Sequence, residues 1–166
     1  MKRIFSILLV IMMLVVVQAF DEPYYYTEYK PVLMKRDKLE ASIVFQDAQV
    51  LKAPGKIYFK DQYILINEKY KGVHIINNTD PSNPVNIGFI NVPGMVDMAM
   101  KANTLYVDNA VDLVAIDLSD LPNINVTDRK ENVFPELVPP GYDFLPYQYA
   151  IGNRPENTVI VRWEKY

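Results

Sequence analysis

Cysteine is absent from this chain of 166 residues, and histidine occurs once, at His74. The lack of cysteine excludes disulfide bonds, a thiolate nucleophile and a zinc–cysteine site. A single imidazole cannot build a common zinc site, and the apolar neighbours of His74 predict a packed strand position. Basic residues form no stripe, which argues against nucleic acid as a partner. Stability must therefore come from packing and strand pairing.

The motifs of common enzyme classes are missing as well. Ser42, Ser82 and Ser119 have no Gly-x-Ser-x-Gly context, and His74 is the only imidazole available as a base. The glycine spacing gives no phosphate-binding loop. We therefore expect a protein that is not an enzyme and that needs no cofactor.

The N-terminus has the pattern of a secretory signal peptide. A positive start at Lys2 and Arg3 precedes an apolar stretch over residues 4–17, and small residues place the cleavage site between Ala19 and Phe20. The alternative is a membrane anchor, but these 14 residues reach only roughly 21 Å, whereas the hydrocarbon core is roughly 30 Å thick. We expect removal of residues 1–19 and export to the periplasm, the cell surface or the medium.

Residues 20–53 form a predicted tether and lead-in segment. Its first part is acidic and tyrosine-rich, and we interpret it as an extended tether, with an aromatic contact surface as the alternative. A short helix or irregular stretch is predicted near residues 36–42, followed by a strand-like run at 42–45. Nothing in this segment matches the pattern that follows it.

Two stretches of the chain repeat each other about forty residues apart. Residues 57–67, 72–77 and Asp80 align with residues 98–108, 112–117 and Asp120. An all-β period of this length is typical of a β-propeller blade, with four antiparallel strands in each copy. The predicted strands are 57–59, 63–67, 73–77 and 85–90 in the first copy, and 97–101, 105–108, 113–117 and 124–127 in the second.

Proline–glycine pairs mark the boundaries of the repeats. Pro54-Gly55 opens repeat 1 (54–92), and Pro93-Gly94 opens repeat 2 (93–134), because proline fixes φ and glycine permits positive φ. Several strands are nearly continuous apolar runs, which suit strands covered on both faces.

A partial third repeat is predicted over residues 135–166, with a last strand at 158–163. The repeat region 54–166 is shorter than the minimum of about four blades in a closed propeller, so we expect an incomplete ring of two blades plus part of a third. Three interpretations are open: a fragment of a longer protein, an open stack, or copies that complete one another. The first is favoured, and in that case an enzymatic part could lie in the missing blades. An open ring also exposes a blade edge for self-association.

Aspartates cluster in the second repeat, and oxygen-rich clusters attract calcium. No Asp-x-Asp-x-Asp-Gly loop accompanies them, however. Asp108, Asp117 and Asp120 align with Asn67, Asn77 and Asp80, which favours hydrogen bonding at turns and strand ends over metal binding. The remaining members of the cluster are Asp97 and Asp112.

Four segments of the chain together resemble the LVIVD-repeat family. They are Leu-Val-Ala-Ile-Asp at 113–117, its weaker counterpart at 73–77, and the adjoining segments 80–88 and 93–94. This resemblance covers residues 29–134 and implies a bacterial envelope protein with β-propeller-like repeats and no established enzymatic activity. Many members are lipoproteins anchored through a cysteine directly after the signal, and Phe20 stands in that place here. The resemblance thus implies an exported protein without a lipid anchor.

The sequence as a whole predicts an exported, non-enzymatic, all-β scaffold of propeller-like blades. Its expected role is to bind a protein or glycan partner in the bacterial envelope. The alternative is an N-terminal fragment of a larger propeller protein with no independent function.

Overall fold

The structure is a computed structural model that describes residues 27–166, and the predicted signal peptide, its cleavage site at Ala19 and Phe20, and the first tyrosines lie outside them. The described part is built from antiparallel sheets, so the predicted all-β class is confirmed. None of the helices within residues 27–166 has the length and hydrophobicity needed to span a bilayer.

Sheet A contains the first repeat. Its strand order is β2-β6-β5-β4-β3, so the four strands of the repeat form a meander and β2 from the lead-in adds a fifth strand at the edge. The strands are β2 (Val44–Gln46), β3 (Pro54–Lys60), β4 (Tyr63–Glu68), β5 (Gly72–Asn77) and β6 (Val85–Asn91).

Sheet B contains the second repeat as a four-stranded meander in the order β10-β9-β8-β7. Its strands are β7 (Met98–Lys101), β8 (Thr104–Asn109), β9 (Asp112–Asp117) and β10 (Asn125–Lys130). Each sequence repeat therefore forms one four-stranded antiparallel unit, as its period predicts.

Sheet C joins the lead-in to the end of the described chain, and sequence analysis did not predict it. It pairs β1 (Tyr29–Lys35) with β11 (Thr158–Lys165) in antiparallel fashion. The predicted last strand exists, but its partner is β1 and not a strand of residues 135–157, which hold two short 3-10 turns at Tyr147–Tyr149 and Ile151–Asn153. Of the predicted partial repeat, β11 is a strand, and residues 135–157 contain none. The lead-in is not only a tether, because it contributes β1, the helix α1 (Arg36–Glu40) and β2.

The turns follow the predicted turn chemistry. Two-residue hairpins join β3 to β4 and β7 to β8, and Asp61 and Ala102 take the same left-handed position in them, with φ of 52° and 51°. In the longer turn after β5, the Asp80 carboxylate accepts hydrogen bonds from the backbone N–H and the hydroxyl of Ser82. Local side-chain acceptors of this kind stabilise turns that proline keeps out of a strand.

The main core lies between sheets A and B. Each sheet buries one face of its pleat, because side chains alternate between faces and cross-strand partners share a face. The buried face of sheet A presents Leu65, Val73, Ile75 and Ile90, all fully buried. The buried face of sheet B, which packs against it, presents Met98, Leu105, Val107, Val114 and Ile116.

A second, smaller core joins the lead-in to sheets B and C. Leu39 of α1 is fully buried there against Ala110 and Val111, at the tip of the β8–β9 hairpin, and against Val159 and Val161 of β11. This cluster fixes the lead-in and β11 on the second repeat, although their sequences show no blade pattern.

The proline–glycine pairs do not all work in the same way. Gly94 has φ of +81°, as predicted for a residue that separates two repeats. Gly55 lies inside β3 without positive φ, and the close approach of Asn67 explains why glycine is needed there, since a Cβ would come 2.1 Å from Asn67 Oδ1. Of the two glycines that open the repeats, only Gly94 has positive φ.

Gly94 and Gly141 form a matched pair for a stability test. Both have φ of +81°, but a Cβ on Gly94 would lie 2.8 Å from the Cα of Ala110, whereas a Cβ on Gly141 meets open space. We expect Gly141→Ala to cost about 1–2 kcal/mol from the left-handed backbone alone. Gly94→Ala should cost about 3 kcal/mol or more, because a backbone contact must also shift. Denaturant unfolding of both variants measures the difference, and equal losses would contradict the close approach.

Candidate functional site

His74 lies on β5 and is fully buried, as its apolar neighbours predict. Its Nε2 is 2.9 Å from Oε2 of Glu68, which is also buried. The imidazole ring packs edge-on against Phe89, with a centroid distance of 4.8 Å, and Lys71 donates a hydrogen bond to the other oxygen of Glu68. The hairpin register could have revealed this buried pair. Glu68 precedes the β4–β5 turn and His74 follows it, and the register places both side chains on the same face of the sheet.

A segment that we call the strap, residues 47–53, covers this group. It connects β2 at one edge of sheet A to β3 at the other, so it crosses the face opposite the main core. The N–H of Lys52 donates to Glu68 Oε2 at 3.4 Å, and Asn86 Nδ2 donates to the carbonyl of Gln49 at 2.8 Å. The imidazole of His74 is therefore shielded from solvent and from any substrate.

The charge state of Glu68 depends on its partners. Burial alone would raise the pKa of Glu68, but hydrogen bonds from Lys71 and His74 outweigh it and hold the pKa below its usual range. Glu68 is thus an ionised carboxylate. It holds together three parts of the chain: the strap, the turn that follows β4, and strand β5.

The aspartates of the second repeat are distributed over separate places. Asp108 accepts hydrogen bonds from the N–H groups of Val96 and Asp97, at 3.0 and 2.8 Å, and Asp117 accepts one from the N–H of Ser119 at 3.0 Å. Across residues 27–166, no three acidic or histidine side chains come together in a way that could hold a metal ion. The carboxylates of Asp108 and Asp117 act at turns and strand ends.

Asp112 has a role that the sequence did not reveal. Its carboxylate is fully buried and accepts hydrogen bonds from Arg36 at 2.8 Å, from Arg129 at 2.6 Å and from the N–H of Asn132 at 3.1 Å. Arg129 also donates to the buried Asn109 at 3.0 Å. The two arginines come from α1 and β10, so Asp112 ties the lead-in and the last strand of sheet B to the β8–β9 hairpin.

The three serines considered as nucleophiles are all engaged locally. Ser42 donates to the carbonyl of Leu39 at 2.6 Å, and the hydroxyls of Ser82 and Ser119 donate to the carboxylates that begin their own turns. In the part of the chain that the structure describes, the imidazole of His74 bonds to Glu68 and not to a hydroxyl.

A cleft of about 330 Å³ lies on the outer face of sheet B, the face turned away from the main core. Its apolar wall includes Tyr106 and Leu113, and it is closed on one side by Phe134, which is held by a 2.9 Å hydrogen bond from its N–H to the carbonyl of Val111. Its remaining lining residues are Asp97, Met98, Ala99, Val107 and Asp108.

The two carboxylates of the cleft differ in their environment. Burial raises the pKa of Asp108 in spite of its backbone hydrogen bonds. Asp97 is exposed, and its hydrogen bond with Lys56, 2.7 Å long, holds its pKa below the usual value. The cleft thus combines an apolar wall with two carboxylates, one paired with Lys56 and one bonded to backbone N–H groups.

Aromatic side chains gather around the end of the described chain. Tyr147 and Tyr166 are 71% and 76% exposed. The Tyr149 ring packs edge-on against Trp163 at 5.2 Å, and its hydroxyl lies 3.0 Å from that of Tyr166. Trp163 is anchored by a 3.0 Å hydrogen bond to the carbonyl of Leu137. We call Tyr147, Tyr149 and Tyr166 the aromatic surface.

Removal of the Asp112 carboxylate should destabilise the protein strongly. Asp112→Ala leaves Arg36 and Arg129 without their common partner, and breaking such a buried pair costs about 3–5 kcal/mol. The matched control is Asp128→Ala, because Asp128 and its partner Lys130 are both more than half exposed and such pairs contribute about 0–1 kcal/mol. Urea unfolding at neutral pH measures both, and a loss below about 1 kcal/mol for Asp112→Ala would contradict this role.

The Glu68 interactions predict a specific pH dependence. A carboxylate whose pKa is lowered in the folded state adds stability above its unfolded pKa of about 4.3, and this stability is lost as the pH falls below that value. We expect Glu68→Gln to lose about 1–3 kcal/mol at pH 7 and much less at pH 3. Thermal unfolding from pH 7 to pH 3 tests this, with Asp128→Asn as the exposed control. An unchanged acid dependence in Glu68→Gln would contradict the interpretation.

Comparison with known proteins adds no relative to this geometry. No protein-family model, no curated protein and no solved structure matches the chain.

Proposed function

We propose that this protein is an exported, non-enzymatic scaffold of β-propeller-like repeats that binds a protein or glycan partner in the bacterial envelope. The observation that carries the proposal is the aromatic surface, which the chain presents at the end of sheet C. The resemblance to the LVIVD-repeat family supports the envelope location and the absence of catalysis.

Exposed aromatic rings suit a binding role. Tyrosine gives a large contact area and loses little conformational entropy on binding, and it is enriched at the centres of interfaces. Burial, together with the hydrogen bond to Tyr166, raises the pKa of Tyr149, so its phenol stays neutral and remains a hydrogen-bonding group near neutral pH. Apolar C–H faces of sugar rings and side chains of proteins both pack on such rings.

The side chains that could perform chemistry support binding over catalysis. His74 and Glu68 are buried beneath the strap, and Asp112 is enclosed by two arginines. The serine hydroxyls donate to turn acceptors.

Binding to envelope material tests the proposal. Purified full-length protein is cosedimented with insoluble cell-wall glycan and, separately, chemically cross-linked in an extract of envelope proteins. We expect one of the two arms to give reproducible binding that Tyr147→Ala weakens at least tenfold, which corresponds to about 1.4 kcal/mol or more.

The matched control is Val50→Ala, since Val50 is 77% exposed on the strap, away from the aromatic surface. This variant should bind like the natural protein. Absence of binding in both arms, or equal loss in the two variants, would overturn the proposal.

A further inference from the structure

Each repeat sheet has an outer face, which points away from the main core. On sheet A this face carries Ile57, 54% exposed, and Phe59, 73% exposed. Cross-strand pairing places the half-buried residues Ile64, Ile66 and Ile76 on the same face. The outer face of sheet B carries the cleft. Two apolar surfaces thus flank the pair of sheets on opposite sides.

The registers show how these faces relate to the main core. The β3–β4 and β7–β8 hairpins match with an offset of 41 residues, since Lys60 pairs with Tyr63 and Lys101 pairs with Thr104. Ile57, Phe59, Ile64 and Ile66 on the outer face of sheet A therefore correspond to Met98, Met100, Leu105 and Val107 on the buried face of sheet B.

The buried face of sheet A corresponds in the same way to the outer face of sheet B. Tyr58 and Leu65, on the buried face of sheet A, correspond to Ala99 and Tyr106, on the outer face of sheet B. The next strands match with an offset of 40 residues, so Val73 corresponds to Leu113. The outer face of each sheet is thus equivalent, by position in the repeat, to the face of the other sheet that is buried in the main core.

We propose that copies of this protein stack head to tail, with the outer face of sheet A of one copy packed on the outer face of sheet B of the next. This contact repeats, between copies, the packing that joins sheets A and B within one copy. The proposal is independent of the aromatic surface.

The shapes of the two faces are complementary. Ala99 stands where the first repeat has Tyr58, and this smaller side chain lines the cleft on sheet B. Phe59 stands where the second repeat has Met100, which packs against the main core. A head-to-tail contact brings Phe59 of a second copy to the cleft beside Ala99, where its ring fills space that the shorter side chain leaves open.

The charges at the contact are complementary too. Lys56 of sheet A pairs with Asp97 of sheet B at 2.7 Å, and both side chains remain more than half exposed. These two positions correspond to each other under the offset of 41 residues. A second copy stacked in the same way therefore brings its own Lys56 towards Asp97, so an opposite-charge pair forms again at the equivalent place.

The strap determines which part of the faces can meet. It runs from Asn86 on β6 to Glu68 at the end of β4, so it covers that part of the face and leaves Ile57 and Phe59 of β3 exposed. The contact is then confined to β3 and β4 of one copy and β7 to β9 of the next. We expect association that depends on protein concentration. Because two different faces meet, the contact is heterologous and can propagate into a ring or an open filament.

Two surface substitutions test the contact. Phe59→Glu places a charge on the outer face of sheet A, and Ala99→Trp fills the cleft on sheet B; both positions are exposed, so neither change disturbs the main core. In sedimentation velocity runs on the purified full-length protein, we expect oligomers that grow with concentration. Each single variant should reduce the oligomeric fraction at least tenfold, and Tyr147→Ala should leave it unchanged.

Mixing the two variants gives the decisive result. Phe59→Glu keeps the sheet B face and Ala99→Trp keeps the sheet A face, so an equimolar mixture should form a heterodimer that grows no further. This recovery also shows that both variants are folded. Monomers at every concentration of the natural protein would overturn the proposal. Oligomers that neither variant affects would do so too, as would a mixture without heterodimers, since that points to a symmetric contact or to another surface.

Discussion

The alternation of side chains across strands is the constraint on which this structure depends. Cross-strand registers in sheets A and B place Leu65 beside Ile75 and Leu105 beside Ile116, so the apolar residues of each strand fall on a common face. A shift by one residue would turn all of them to the opposite face. The hairpins prevent such a shift, because Asp61 and Ala102 hold their two-residue turns in the same left-handed geometry. Packing of the two buried faces then gives the main core.

Charged groups are placed around this core and not within it. Glu68 lies on the outer face of sheet A and binds the strap, whereas Asp112 lies at the end of the β8–β9 hairpin and binds arginines of α1 and β10. Both carboxylates connect the repeats to segments that lack the blade pattern. The repeats thus provide the apolar core, and buried ion pairs attach the remaining segments to it. Such pairs set geometry more than they add stability.

Local patterns in the sequence predicted local structure well. The repeat strands, the hairpin after β3 and the strand near 158–163 follow from β-branched runs, turn residues and proline positions, and of the two alternatives left open near 36–42 the structure has the short helix. The pairing of β1 with β11 could not be predicted in this way, because Tyr29 and Lys165 pair across almost the whole described chain and no local signal marks a distant partner. Asp112 was counted among clustered acids for the same reason, since Arg36 is 76 residues away. The packing of Tyr149 on Trp163 has no local signal either, because it depends on the position of β11.

The main core and the stacking both depend on which face of each sheet is buried, and methyl and aromatic nuclear Overhauser effects measure this directly. In a dilute sample, we expect cross-peaks that connect Leu65 and Ile75 of sheet A with Leu105 and Val114 of sheet B. Ile57 and Phe59 should give no cross-peaks to that set, because they lie on the opposite face. Cross-peaks from Ile57 or Phe59 to Leu105 and Val114, with none from Leu65 and Ile75, would contradict the registers and the stacking derived from them.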